Sequence, residues 1–205
     1  MDVLLMKKLI AASILVSLSS AASADEQETL DMSDPTAVYS SLGISVDTRE
    51  DLDVNGGFAW GVNQLLIETK GGGDSVSLTY ARMTEGSGLY AETTFNKDLR
   101  SVNAGYITTF SLAESMKLYP VIMGGYINDE VSDDVTPIMS TGFYFRYNFG
   151  SGFHLGVDPF YTIGTDSFDS FVVDTFLGYQ YKSHRFRVGI DEDKEVSLEY
   201  KIAFF

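Results

Sequence analysis

The chain ends on SLEYKIAFF, residues 197–205, and the alternation within this stretch decides the fold class. Its apolar residues alternate with polar or small ones, and they are Leu198, Tyr200, Ile202 and Phe204. Successive side chains of a β-strand point to opposite faces, so this segment has one apolar face and one polar face. Such a strand separates an apolar environment from a polar one.

The preceding sequence repeats this period of two, and Gly, Asn, Asp and Ser interrupt it at short intervals. Alternating segments with such interruptions predict an all-β chain with hairpin connections. The predicted strands are 57–69, 75–84, 88–96, 101–112, 117–127, 136–149, 153–162, 171–182, 185–191 and 195–205, with a further alternating segment near 37–47. In the second half, tight connections alternate with acidic and mostly longer ones, which is typical of an up-and-down meander.

The first residues predict export. Lys7 and Lys8 precede an apolar run over residues 9–18, and the small residues at 22–24 follow as a cleavage pattern. The apolar run is roughly half the ~20 residues that a membrane-spanning helix needs. We therefore predict a signal peptide over 1–24, an acidic N-terminal segment over 25–56 with room for one strand, and a barrel domain over 57–205.

Composition excludes several classes of function. The chain has no cysteine, which excludes disulfides, thiolate zinc sites and a cysteine nucleophile. The net charge of −15 makes nucleic acid an improbable partner, because duplex binding needs clustered Lys and Arg. The acidic connections fit no calcium-loop spacing, so we expect neither a metal nor a cofactor.

Strands of this kind fit either a soluble lipocalin-like barrel or a membrane barrel with the faces inverted. Aromatic residues lie beside the tight turns and at the C-terminus, where they would share one rim as a membrane-interface girdle. They are Tyr147, Phe149, Phe153, Tyr179, Tyr181, Phe186, Phe204 and Phe205. The chain also ends on a strand, which a closed barrel needs because hydrocarbon cannot satisfy an open edge.

Charged residues of both signs lie on the opposite, polar face of successive strands. They are Arg146, Asp158, Asp174, Arg187, Glu199 and Lys201. Opposite charges on neighbouring strands can pair across a narrow lumen, which avoids the cost of an unpaired buried ion. We predict that these six residues line the lumen of a closed antiparallel transmembrane β-barrel. An even strand number keeps both termini on the periplasmic side, so we expect about ten strands, with eight or twelve as alternatives.

The signal peptide, hairpin rhythm and terminal strand resemble small Gram-negative outer-membrane β-barrel proteins of the OmpA-like or porin-like type. The resemblance covers the chain from about Phe58 to Phe205. It implies a location in the outer membrane, contact with lipid and lipopolysaccharide, and insertion by the barrel-assembly machinery. That machinery reads the C-terminal strand in this family, here through Tyr200, Ile202, Phe204 and Phe205.

Catalytic chemistry has few candidates in this sequence. The two histidines, His154 and His184, have no serine two residues on and no acidic residue two residues before. We therefore expect no enzymatic activity and a structural or surface-interaction role for the barrel. The alternatives are a narrow porin-like channel for small solutes and, less favoured, a soluble periplasmic lipocalin-like carrier. The sequence predicts no oligomeric state.

Overall fold

A computed structural model of the chain describes residues 30–129, 134–165 and 167–204. The predicted signal peptide and Phe205 lie outside these residues. Thirteen strands are assigned within them, joined by turns and one short 3₁₀ turn at Gly71–Gly73. The strands are β1 Ser40–Asp47, β2 Leu52–Trp60, β3 Asn63–Lys70, β4 Ser75–Thr84, β5 Ser87–Asn96, β6 Leu99–Ile107, β7 Phe110–Ala113, β8 Met116–Asp129, β9 Asp134–Gly150, β10 Phe153–Gly164, β11 Asp169–Tyr181, β12 His184–Ile190 and β13 Val196–Phe204. No helix in the described ranges is long and apolar enough to cross a membrane.

The strands form a closed antiparallel meander. Each strand pairs with its sequence neighbours, and β1 pairs with β13 from Ser40–Phe204 to Asp47–Ser197, which closes the sheet. Both β6 and β7 pair with β8, so they form one strand of the wall that is interrupted at residues 108–109. The described wall therefore has twelve strands.

Twelve strands were one of the predicted alternatives, and the favoured number of ten was too low for two reasons. The predicted strand 57–69 is in fact the hairpin of β2 and β3, which turns at Gly61 with a φ of 57°. Apolar residues continue through this turn at Trp60 and Val62, so the alternation hides it. The segment near 37–47, which was left out of the count, supplies β1, and the wall begins at Ser40 instead of at 57.

The two ends of the barrel differ as the sequence predicts. Two-residue turns join the strands at one end, at 61–62, 85–86, 114–115, 151–152 and 182–183. Connections at the other end, which we call the loop end, are four or five residues long except at 97–98. An even number of strands places both ends of the described wall at the tight-turn end, which is the periplasmic side in such barrels.

At the loop end, Arg49 links the two connections that flank the pairing of β1 with β13. Its guanidinium lies 3.1 Å from the carboxylate of Asp47 and 2.8 Å from that of Glu195. The hydrogen bond from Arg49 to Asp47 raises the pKa of Arg49 above its ordinary value. Because 58% of the Arg49 side chain is exposed, these two ion pairs are weak surface contacts between the connections.

The outer face of the wall is apolar. Large exposed side chains recur along it in every strand pair, including Phe58, Leu89, Ile122, Leu177 and Leu198. Outward aromatic pairs lie near the tight turns, as predicted for the girdle: Tyr147 with Phe149 at 4.7 Å, Phe153 with Tyr179 at 4.7 Å, and Phe58 with Trp60 at 5.6 Å between ring centroids. An apolar exterior of this extent fits lipid and not water, which disfavours the lipocalin-like alternative.

We predict that Leu177→Arg lowers the free energy of unfolding in lipid vesicles by about 2–4 kcal/mol, because it places a charge in hydrocarbon. Leu177 lies on the outer face, on the membrane side of the girdle residue Tyr179 and between Leu155 and Val188 of the adjacent strands. Urea titration monitored by aromatic fluorescence measures the loss. The control is Leu112→Arg, next to a tight turn, where the expected loss is only about 0–1 kcal/mol. Equal losses at the two positions would contradict the placement of this face in lipid.

Candidate functional site: the barrel lumen

A buried ion pair between β9 and β10 lies at the centre of the lumen. Arg146 and Asp158 are 8% and 9% exposed, and two parallel hydrogen bonds join them, one of them 3.0 Å long from Nη2 to Oδ2. Bidentate pairing of this kind combines two charge-assisted hydrogen bonds with a fixed geometry. In this pair both side chains face the lumen.

An aromatic ring from β11 lies between two guanidinium groups. The guanidinium carbon of Arg146 is 4.8 Å from the ring centroid of Phe176, and that of Arg187 is 3.4 Å from it. Gly156 faces this arrangement, and a Cβ atom at that position would overlap the Phe176 ring. The glycine therefore leaves the space in which two cations stack on one ring.

Glu199 of β13 is the centre of a second group of charges. Its carboxylate lies 2.5 Å from Arg185, 3.5 Å from Arg187 and 3.7 Å from Lys201. Arg187 also contacts Asp174 at 3.3 Å. All six predicted lumen charges thus face inward and form ion pairs. The set of predicted site residues omitted Arg185, although its alternation with Phe186 identifies its face.

Acidic side chains dominate the loop-end half of the lumen, which we call the vestibule. Strand register places these carboxylates inward: Asp47, Asp53, Glu68, Asp129, Asp134 and Asp174. Glu68 is exposed, and the Asp174 side chain is 45% exposed, so water reaches the interior of the wall at this level. The basic residue Lys70 faces inward in this region as well, on the same face of β3 as Glu68.

At the tight-turn end, the lumen is occupied by residues 31–39, which we call the inner segment. Its backbone is held by inward side chains of the wall. The Met32 amide donates to Gln180 at 2.8 Å, Arg146 donates to the Ser33 carbonyl at 2.8 Å, and Arg185 donates to the Met32 carbonyl. Met32 is only 1% exposed, so these contacts enclose the segment.

The opposite side of the inner segment contacts the other half of the wall. Gln64 of β3 donates to the Tyr39 carbonyl at 2.5 Å, and Lys117 of β8 forms an ion pair with Asp34 at 3.3 Å. Val38 packs on a buried apolar cluster that faces the lumen, formed by Ala81, Met83, Ile107, Tyr119 and Val121. Sequence analysis missed this site because residues 31–36 have no period of either strand or helix, and residues 37–39 were included in the alternating segment near 37–47.

The two histidines have no catalytic arrangement among the described residues. His154 faces the lumen, where it is buried with Nδ1 3.4 Å from the Gly152 carbonyl oxygen. His184 faces outward, and its Nδ1 is 2.8 Å from the Tyr200 hydroxyl oxygen. Neither ring contacts a serine or a carboxylate there. In the same ranges, no group of three acidic or His side chains is close enough to hold a metal ion.

The predicted assembly signal lies on the outer face of β13 as far as the structure describes it. Tyr200, Ile202 and Phe204 share the register of the exposed Leu198. Phe205 lies outside the described residues. The recognition of this strand by the assembly machinery stays a prediction.

Comparison with solved structures identifies the architecture. No family model and no curated protein matches the chain. The NanC porin matches with a TM-score of 0.56 at 8% identity over 81% of this chain and 99% of that one. The KdgM porin matches with a TM-score of 0.56 at 6% identity over 82% and 99%. The COG4313 outer membrane channel from Pseudomonas putida F1 matches with a TM-score of 0.52 at 11% identity over 89% and 100%.

The chain has the fold of the outer-membrane porins and channels. At these identities the likeness establishes the fold, and the apolar exterior supplies the independent argument for lipid. A closed porin-like barrel with such an exterior belongs in the outer membrane of a Gram-negative bacterium. Its lumen combines an acidic vestibule with a cation-rich, occupied half.

We predict that Asp158→Asn destabilises the barrel by about 3–5 kcal/mol, because Arg146 then remains buried without its counter-ion. Urea unfolding in vesicles measures the change. The paired replacement of Arg146 by Met and Asp158 by Leu should cost much less, since no charge is left buried. As the control, Asp174→Asn should cost less than about 1 kcal/mol, since its ion pair is exposed to water. Similar losses for Asp158→Asn and Asp174→Asn would contradict this reading.

Proposed function

We propose that this protein is a narrow outer-membrane channel for small solutes that favours cations. The observation that carries the proposal is the water-exposed, acidic vestibule inside a closed barrel. A structural barrel needs only a filled interior, whereas here Glu68 and Asp174 face water within the wall. The porin fold supports the same choice over a purely structural or surface-interaction role.

Charge supports the preference for cations. Glu68 and Asp134 form no direct ion pair with any described residue, and both side chains are exposed to water in the vestibule. The arginines deeper in the lumen, in contrast, are each matched by Asp158, Asp174 or Glu199. A low-dielectric wall focuses the field of uncompensated carboxylates into the lumen, which raises the local concentration of cations.

The same charges argue against a long anionic solute. The KdgM porin has been solved in complex with oligogalacturonate, whose sugar units carry carboxylates. Such a chain entering from the loop end of the present barrel would meet the vestibule carboxylates first, and like charges repel. We therefore propose small cations or small zwitterionic solutes as the permeating class.

We further propose that the barrel has no enzymatic activity and that its lipid-facing wall contacts outer-membrane lipid and lipopolysaccharide. The positions of His154 and His184 support the first statement, because one is enclosed in the lumen and the other faces outward. The exposed apolar face supports the second, as does its aromatic girdle.

We predict that single channels of the full chain in a planar bilayer show a reversal potential of cation-selective sign under a KCl gradient. The double variant Glu68→Gln, Asp134→Asn should shift that potential towards zero, because it removes two uncompensated vestibule charges. The matched control is Glu114→Gln in a tight turn outside the lumen, which should leave the potential unchanged. An anion-selective potential would contradict the charge preference. Absence of channels, even after replacement of the inner segment, would favour the structural role.

A further inference from the structure

We propose that the inner segment, residues 31–39, is a displaceable plug that closes the lumen from the tight-turn end. This inference rests on the proposed channel function and adds its regulation. The carrying observation is that one short irregular stretch contacts inward side chains all around the barrel. These contacts come from β3, β8, β9, β11 and β12, and from an apolar cluster with members on β4, β6 and β8.

The distribution of those contacts indicates that the segment is a plug across the lumen and not a strap that lies along one part of its wall. A strap would lie along a few adjacent strands and leave the rest of the lumen open. Here Gln64 holds Tyr39 from one side, while Gln180 and Arg185 hold Met32 from the other. A segment that touches opposite walls at one level occludes the cross-section there.

The inner segment is built to move as a unit. The Ser33 amide donates to the Asp31 side chain at 3.0 Å, and the Thr36 amide donates to the Asp34 side chain at 2.8 Å. Two backbone turns reinforce these contacts, at Asp31–Asp34 and Asp34–Ala37. Its shape therefore depends on its own hydrogen bonds, and its covalent link to the wall is the junction of Tyr39 with Ser40.

Apart from the apolar packing of Val38, the wall contacts of the segment are of a kind that water can replace. They are single hydrogen bonds between wall side chains and the backbone of the segment and one ion pair, whereas the strands are joined by continuous backbone ladders. Lys117 of that ion pair is 38% exposed, which makes it weak. Departure of the segment leaves no deeply buried charge unpaired, because Arg146 keeps Asp158 and Arg185 keeps Glu199, whereas Lys117, which loses Asp34, is already 38% exposed. The deeply buried ions are therefore paired in both the closed and the open lumen, so neither state carries the cost of an unpaired buried ion.

The first experiment replaces residues 31–38 by a Gly-Ser stretch of equal length in the full chain. Single-channel recording should show an open probability about tenfold or more above that of the unaltered chain, equivalent to a shift of about 1.4 kcal/mol in a two-state equilibrium. A milder variant, Asp34→Asn, removes the ion pair to Lys117 and weakens the turn at Thr36, and should raise the open probability several-fold. Its matched control is Asp74→Asn, in the loop-end turn between β3 and β4, which should have no effect.

A second measurement reads the position of the segment directly. The chain has no cysteine, so Thr36→Cys introduces the sole thiol of the protein. Thr36 is 6% exposed, and its thiol should react slowly with a water-soluble reagent in the unaltered background and faster when Asp34→Asn is added. The control is Ser151→Cys in an exposed tight turn, which should react fast in both backgrounds.

The outcomes separate the two proposals. High conductance of the replaced chain with low conductance of the unaltered chain supports the plug. Equal conductance of the two chains overturns the plug and leaves the channel function intact. Absence of conductance in both overturns the channel function and the plug with it. Fast labelling of Thr36→Cys in the unaltered background would overturn the occluded position by itself.

Discussion

Pairing of β1 with β13 is the constraint on which the other features of this barrel depend. Hydrocarbon offers no hydrogen-bond partner to an open sheet edge, so the last strand must satisfy the first along its whole length. The register from Ser40–Phe204 to Asp47–Ser197 does so. With twelve strands, closure also brings both ends of the wall to the tight-turn end. Residues 31–39 precede β1 directly, and from the tight-turn end they fold into the lumen, where inward side chains of the wall bind them.

Closure then determines where charge can lie. An outer face in lipid excludes ions, and the inner face must accept those that the strands carry. Buried ions are costly unless they are paired, and the wall pairs them between strands: Arg146 with Asp158, and Arg185 and Arg187 with Glu199. Small residues make this possible in a narrow interior. Gly156 gives room to the Phe176 ring, and a Cβ atom at Gly178 would overlap the His154 ring. Glycine in these strands is therefore a condition of the charge arrangement.

Period-two alternation divided each strand into an apolar and a polar face, and the aromatic rim and the terminal strand then indicated that the apolar face is the outer one. The alternation did not reveal strand ends where apolar residues continue through a turn without interruption. Apolar residues run through the turn at Gly61, so one strand was predicted where two exist. It also contained no information on the inner segment, because the contacts of that segment join residues far apart in the chain. The amide of Met32 and the side chain of Gln180 are 148 positions apart. Such contacts follow from closure and from the strand number, which local sequence does not encode.

The inner segment and the vestibule act on the same electrostatic profile. The exposed carboxylates Glu68 and Asp134 lie towards the loop end, and paired cations lie towards the tight turns. The inner segment brings Asp34 to Lys117, a lumen cation for which no wall residue is the partner among the described ion pairs. Departure of the inner segment would expose Lys117 at the tight-turn end and make this half of the lumen more positive. Occlusion and charge preference are therefore coupled in this barrel, because one short acidic stretch determines both the free cross-section and the local field.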